Sequence, residues 1–186
     1  MAKMNRFGRW LVNRRTESRA RRVLAKLGSY LSIPPNARVL ELGSGGGGLL
    51  ALLHEQYHPE RLVGTDFDLD QVTAAQELLS QRWGSLPPSI ALQRADALTL
   101  PFPETSFDAV FAMMMLHHVE ERHSEYVRRP QALKEIRRVL RPGGMLVYSD
   151  MFRRKEIRST LSELGFIEQF LSSGWRTDFA IFRAPG

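Results

Sequence analysis

The stretch from Val39 to Leu50 reads VLELGSGGGGLL and places five glycines within six positions, directly after a short apolar run. Glycine lets the backbone turn sharply and lets a ligand approach without a Cβ in the way. The free N–H groups at the start of a helix are ready donors for nucleotide-like ligands. A strand, a glycine turn and a helix start in this order therefore predict a binding loop.

Two spacings fit this loop. Gly43, Gly45 and Gly48 match G-x-G-x-x-G, which is typical of dinucleotide binding. Glu41 followed by Gly43, Gly45 and Gly47 also matches E-x-G-x-G-x-G. The loop alone leaves the cofactor class open between these two patterns.

Acidic residues follow the loop at a spacing that suits a ribose. Asp66 lies 23 residues after Gly43, at the end of the next apolar run, and a carboxylate there can accept hydrogen bonds from a ribose diol. Asp96 ends the third such run. In parallel sheets the carboxyl ends of the strands meet at one edge, so the loop, both aspartates and Ala112–Met113 are expected to converge there.

Apolar runs and helical spacings alternate five times, and two last strands follow. This order predicts an α/β fold: a doubly wound, Rossmann-like, seven-stranded, mostly parallel sheet with one antiparallel edge strand, plus N-terminal helices. Pro142–Gly144 is expected to end a helix before a fifth strand over Met145–Ser149. Asp178–Arg183 is expected to pair in an antiparallel hairpin with the strand before it.

Composition narrows the chemistry. The chain of 186 residues has no cysteine, which excludes disulfides, thiolate metal sites and cysteine nucleophiles, and we predict no metal site. No apolar run approaches the roughly 20 residues of a membrane span, and we expect a cytoplasmic protein.

Positive charge is concentrated at the N-terminus. Residues 1–28 hold nine basic side chains against Glu17 alone, whereas the whole chain carries +6. We therefore divide the chain into a basic helical segment over residues 1–36, acting as a lid or arm, and a ligand-binding domain over residues 37–186.

Two longer motifs decide between the cofactor classes. Arg94–Val119 reads RADALTLPFPETSFDAVFAMMMLHHV, and Arg138–Asp150 reads RVLRPGGMLVYSD. With the glycine loop, these motifs resemble the class I S-adenosylmethionine-dependent methyltransferases. They are most similar to the type 11 branch that includes the ubiquinone/menaquinone-biosynthesis methyltransferases. The resemblance implies an enzyme that binds S-adenosyl-L-methionine and releases S-adenosyl-L-homocysteine.

The resemblance also implies roles for residues. The glycine loop approaches the methionine and ribose parts of the cofactor, Asp66 binds the ribose hydroxyls, and Asp96 accepts from the adenine amino group. The full implied cofactor set is Glu41, Gly43, Ser44, Gly45, Gly47, Asp66, Phe67, Asp96, Ala97, Ala112 and Met113.

The acceptor is less constrained by the sequence, because methyl transfer depends mainly on positioning and exclusion of water. His117 is the candidate catalytic residue, and the candidates for acceptor binding are Phe7, Trp10, Arg14 and His118. The leading hypothesis is transfer to a small molecule, hydrophobic or anionic. The alternatives are a nucleic-acid- or ribosome-directed methyltransferase and a non-catalytic cofactor-binding protein with a basic interaction arm. That arm also suits peripheral contact with an anionic membrane.

Overall fold

The computed structural model describes residues 17–18, 20–119, 127–151, 153–174 and 177–186. Seven strands lie in these ranges: β1 (Arg38–Leu42), β2 (Arg61–Asp66), β3 (Ile90–Arg94), β4 (Phe107–Met113), β5 (Leu140–Asp150), β6 (Ile167–Ser173) and β7 (Asp178–Arg183). The helices are α1 (20–27), α2 (Gly48–Tyr57), α3 (Leu69–Trp83), α4 (Arg128–Val139) and α5 (Arg154–Glu163). Short 3-10 turns cover Gly28–Tyr30 and Leu116–His118.

The strands form one sheet in the order β3-β2-β1-β4-β5-β7-β6. Strands β1 to β5 pair in parallel, and β7 is antiparallel to both β5 and β6. The predicted fold class is confirmed. The antiparallel strand β7 lies one place in from the edge, with β6 outside it. The short connection between β6 and β7 makes these two strands an antiparallel hairpin.

Helices cover both faces of the sheet because the strand residues alternate between two cores. Val39 packs with residues of α1 and α2, whereas Leu40 and Leu42 pack with α4 and α5 on the opposite face. Strands buried on both faces read as near-continuous apolar runs, and this is how β1 and β4 appear in the sequence.

The fifth strand begins earlier than predicted. Helix α4 ends at Val139, and Leu140 already pairs with Phe107 of β4. The register then shifts before Met145 pairs with Ala109. Pro142–Gly144 therefore forms an irregular part of the strand and does not end the helix, because a bulge accommodates proline and glycine where a regular ladder does not.

The order of the strands places the site. The chain runs from β1 outward through β2 to β3, then returns to β4 on the other side of β1. The connections that follow β1 and β4 therefore diverge, which opens a crevice at the carboxyl ends of these two strands.

Candidate functional site

A cavity of about 610 Å³ occupies this crevice. Its lining comes from the turn between β1 and α2, the ends of β2 and β4, the segment after β3, and side chains of α1 and β7. The volume lies in the range of small-molecule and cofactor sites, roughly 300–1,000 Å³. The predicted convergence at one edge of the sheet is thus observed.

The glycine turn is shaped by left-handed backbone conformations. The φ angles of Gly43, Gly45 and Gly47 are 68°, 49° and 77°. A Cβ on Gly43 would lie 2.6 Å from the Cβ of Met115, whereas a Cβ on Gly45 would meet no atom within 4 Å. Gly43 therefore permits close packing against the segment after β4, and Gly45 leaves space at the cavity wall.

Two polar atoms beside this turn lack partners. Glu41 is 4% exposed and Ser44 is 2% exposed, and both residues line the cavity. Neither Oε2 of Glu41 nor Oγ of Ser44 has a hydrogen-bond partner among the described residues. Because unpaired buried polar atoms are costly, both are suited to a polar ligand.

Burial raises the pKa of the Glu41 carboxyl well above its usual value. The negative charge of Asp66 acts in the same direction, and the backbone amide of Leu50 opposes both effects. Burial at this position therefore disfavours the charged form of Glu41.

Asp66 joins the glycine turn to the next helix. Its Oδ2 accepts a 3.0 Å hydrogen bond from the Gly45 amide, and its Oδ1 accepts one of 3.0 Å from the Asp68 amide. Asp68 in turn caps α3 by accepting from the Asp70 amide at 2.9 Å. The last residue of β2 is thus held at the cavity by backbone donors on both sides.

The adenine-side candidates lie on neighbouring loops. Phe67 is 63% exposed, and the guanidinium of Arg94 lies 5.3 Å from the centre of its ring. The Arg94 Nε also donates to the Phe67 carbonyl at 3.0 Å. Asp96 accepts a 2.9 Å hydrogen bond from the Leu98 amide through Oδ1. Both Phe67 and Asp96 line the cavity.

The segment after β4 closes another side of the cavity. Met114 has a φ of 57°, which is uncommon for a residue other than glycine, and its amide donates to the Ser149 carbonyl at 2.7 Å. His118 lines the cavity a few residues later, in the turn Leu116–His118. Ser149, the neighbour of Asp150 in β5, lines it as well.

His117 points to a carboxylate. Its Nδ1 lies 3.1 Å from Oδ1 of Asp150, and its amide donates to Oδ2 at 3.0 Å. The centres of the His117 and His118 rings are 4.0 Å apart. Asp150 is fully buried, and Met151 also donates its amide to Oδ1 at 2.7 Å.

The structure brings most of the predicted cofactor residues together, and those that line the cavity are Glu41, Gly43, Ser44, Gly45, Asp66, Phe67, Asp96, Ala97 and Met113. Gly47 and Ala112 are not in the lining: Gly47 caps the start of α2 and Ala112 is buried in β4. The three acceptor candidates Phe7, Trp10 and Arg14 lie outside the described residues.

Sequence reasoning missed several lining residues. Ala20 and Val23 of α1, Arg128 at the start of α4, and Phe179 of β7 line the cavity. Their positions depend on packing across the fold, so no local pattern marks them. Asp150 could have been identified from the sequence, because it is an acidic residue at the end of β5, as Asp66 is at the end of β2.

None of the helices in the described ranges is long and apolar enough to cross a membrane. The lining of the cavity also includes the apolar side chains of Val23, Met115, Val119 and Phe179. Arg128 is part of the same lining.

The chain is similar in sequence to a known protein family and to individual known proteins. The profile of the family described as "Methyltransferase domain" matches residues 40–148. The chain is 30% identical over 182 residues to phosphatidylethanolamine N-methyltransferase from Cereibacter sphaeroides, a match that covers 95% of this chain and 81% of that protein.

A second relative matches a shorter part of the chain. Identity to the ubiquinone/menaquinone biosynthesis C-methyltransferase UbiE from Desulfotalea psychrophila is 33% over 128 residues, or 69% of this chain and 46% of that protein. The chain thus spans less than half of the length of this relative.

A solved structure has the same fold. The PH0226 protein from Pyrococcus horikoshii OT3 superposes with a TM-score of 0.74 at 21% identity, and the match covers 91% of each chain.

Proposed function

Because this chain belongs to the methyltransferase-domain family of class I S-adenosylmethionine-dependent enzymes, we propose that it methylates a small lipid-like acceptor, with the primary amine of phosphatidylethanolamine as the first candidate. The family match confirms three predictions from the sequence: the resemblance to class I methyltransferases, the enzyme class, and S-adenosylmethionine as the cofactor.

The residues of the cavity fit this cofactor. Two buried polar atoms, on Glu41 and Ser44, have no hydrogen-bond partner among the described residues, and the space beside Gly45 is open. The cofactor carries an ammonium group, ribose hydroxyl groups and an adenine amino group. Each of these groups donates hydrogen bonds, and carboxylate oxygens can accept them. The observed donor and acceptor set therefore matches the polar groups of the molecule.

Each part of the cavity has a role in this proposal. Glu41 and the glycine turn hold the methionine part, Asp66 accepts from the ribose hydroxyls, and Asp96 with Phe67 holds the adenine. When bound, S-adenosylmethionine supplies a methyl group activated by a positively charged sulfonium. The protein then has to position the acceptor and exclude water, and the apolar side chains around the rest of the cavity suit both tasks.

The choice of acceptor rests mainly on the extent of one match. The similarity to the phosphatidylethanolamine enzyme continues through 95% of this chain, well beyond the residues 40–148 that carry the common cofactor motifs. The parts of a methyltransferase outside these motifs are the ones free to differ between acceptors. A match that includes them supports a related acceptor.

The chemistry of the acceptor side agrees with a lipid headgroup. Val23, Val119 and Phe179 supply an apolar surface for acyl or glycerol carbons, and Arg128 supplies a guanidinium for a phosphate. The basic N-terminal segment would favour approach to an anionic bilayer. A purely polar acceptor would leave this apolar surface unused.

The test is methyl transfer by the full chain from isotopically labelled S-adenosylmethionine to lipid vesicles. Vesicles containing phosphatidylethanolamine should yield monomethylated lipid by mass spectrometry, and vesicles of phosphatidylcholine, which has no free amine, should yield none. Anionic vesicles with and without the amine lipid would separate surface binding from turnover. Transfer to a quinol or to RNA, with none to the amine lipid, would overturn the proposal.

A further inference from the structure

The turn after β4 presents two adjacent histidines in different ways. His118 lines the cavity, whereas both the side chain and the amide of His117 lie within hydrogen-bonding distance of the Asp150 carboxylate, at 3.1 Å and 3.0 Å. The two rings are in contact, with centres 4.0 Å apart and planes inclined at 41°. One carboxylate therefore holds the turn on which His118 is carried.

This carboxylate is built into the fold. Asp150 is fully buried at the end of β5, and in the antiparallel ladder its backbone lies opposite that of Asp178 in β7. The Met151 amide donates a hydrogen bond to the Asp150 carboxylate at 2.7 Å. Its neighbour Ser149 lines the cavity, is fully buried, and has a hydroxyl without a hydrogen-bond partner in the part of the chain that the structure describes. The strand that carries Asp150 therefore also contributes a buried polar side chain to the cavity lining.

We infer that His118 accepts the proton of the acceptor nucleophile, and that His117 and Asp150 are positioning residues that hold its imidazole at the cavity. This inference rests on the proposed function, in that it requires an acceptor with a removable proton. It also moves to His118 the catalytic role that the sequence suggested for His117.

The step balances with the groups named. An ammonium headgroup gives one proton to the neutral His118 imidazole and becomes a nucleophilic amine. The amine nitrogen then forms a bond to the methyl carbon while the methyl–sulfur bond breaks, and the electron pair of that bond stays on sulfur. The imidazolium of His118 afterwards releases its proton to water.

The electrostatic surroundings favour a neutral His118. Partial burial lowers the pKa of its imidazole, and the adjacent His117 acts in the same direction. The charges of Asp150 and Asp66 oppose this shift, and Arg128 lines the same cavity. An imidazole whose pKa is below its usual value is neutral at pH 7, so its ring nitrogen is available to accept a proton, although it is a weaker base.

The first experiment compares His118→Gln with the wild type and with the matched control His54→Gln. His54 also has a pKa lowered by burial, but it lies on α2 and does not line the cavity. His118→Gln should reduce kcat by about 100-fold or more while calorimetry shows unchanged affinity for S-adenosylhomocysteine. His54→Gln should leave kcat unchanged. Full turnover of His118→Gln would overturn the inference.

The second experiment tests the positioning residues by the acid limb of the kcat profile. Asp150→Asn removes a charge that raises the pKa of His118, so the limb should move to lower pH. His117→Asn keeps a side-chain donor toward Asp150 but removes the imidazole whose proximity lowers the pKa of His118, so the limb should move to higher pH. Shifts in opposite directions cannot come from a common loss of stability. Limbs that coincide in all three proteins would overturn the roles of His117 and Asp150.

A third measurement does not depend on the acceptor. NMR titration of isotopically labelled histidine should give a His118 pKa that falls in Asp150→Asn and rises in His117→Asn, and His118 should respond to saturation with S-adenosylhomocysteine. A His118 signal that ignores both variants and the ligand would overturn the inference. Failure to methylate the amine lipid, with these NMR shifts intact, would count against the proposed function alone.

Discussion

The carboxylate of Asp66 accepts a 3.0 Å hydrogen bond from the amide of Gly45. This contact joins the end of β2 to the glycine turn, two parts of the chain that the sequence predicts to meet at one site. It holds a backbone donor of the turn and orients the carboxylate at the cavity. A change at Asp66 therefore affects the shape of the turn as well as any ligand that Asp66 binds.

We predict that Asp66→Ala weakens binding of S-adenosylhomocysteine by at least about tenfold, because hydrogen bonds to a charged group contribute roughly 1.5–3 kcal/mol. Calorimetry measures the change. The matched control is Asp68→Ala, which removes the cap of α3 and should cost about 1 kcal/mol of stability without changing affinity. Equal affinity losses in both variants would show that Asp66 acts only through the local fold.

Gly43→Ala should impair folding and ligand binding together. The new Cβ would lie 2.6 Å from the Cβ of Met115, and the φ of 68° adds a strain of about 1–2 kcal/mol. The control Gly28→Ala has a φ of 45° but no atom within 4 Å, so it should show the strain alone. Comparing the thermal unfolding of the two variants separates the effect of backbone strain from the effect of the close contact.

The close contact itself can be relieved. In the double variant Gly43→Ala with Met115→Gly, the obstructing Cβ is absent, and part of the lost stability should return. A double variant no more stable than Gly43→Ala would argue against the Met115 contact as the cause.

Glu41 should make stability depend on pH. Its pKa in the folded protein is raised above the model-compound value of 4.5, so its contribution to stability is complete below pH 4.5 and declines as the pH rises through the folded pKa. Glu41→Gln removes this ionisation. The melting temperature of Glu41→Gln without ligand should therefore exceed that of the wild type increasingly as the pH rises.

Glu77→Gln, a change at an exposed position of α3, is the matched control and should show no such trend. A difference between Glu41→Gln and wild type that stays constant with pH would contradict the ionisation argument.

The N-terminal segment should act on the acceptor more than on the cofactor. Ala20 and Val23 of α1 already line the cavity, and Glu17 forms an ion pair with Arg82 of α3 at 3.1 Å. Glu17, where the described part of the chain begins, therefore lies beside α2 and α3. Deleting residues 1–16 should lower methyl transfer strongly and leave affinity for S-adenosylhomocysteine nearly unchanged, as expected for a lid that excludes water.

The rival hypothesis treats these residues as a docking arm. In that case the shortened chain would retain turnover of detergent-dispersed acceptor and would lose salt-sensitive binding to anionic vesicles or RNA. Measuring methyl transfer and vesicle or RNA binding on the same preparation decides between the lid and the docking arm.

Local sequence was sufficient to predict that the glycine turn and Asp66 meet at one cavity. Strand β1, the glycine turn and Asp66 follow one another within a short stretch, and the carboxyl ends of parallel strands must share an edge. The identity and order of these residues therefore predicted the place of the cavity and the fold class around it. The two long motifs, Arg94–Val119 and Arg138–Asp150, then distinguished the cofactor.

The rest of the cavity lining depended on the tertiary structure. Phe179 reaches the cavity because β7 inserts beside β5, and Arg128 reaches it because α4 starts near the segment after β4. The difference between His117 and His118 likewise depends on Asp150, which is 33 residues away from His117 along the chain. Adjacent residues in a tight turn face different directions, and sequence spacing cannot show which one meets a partner from a distant strand.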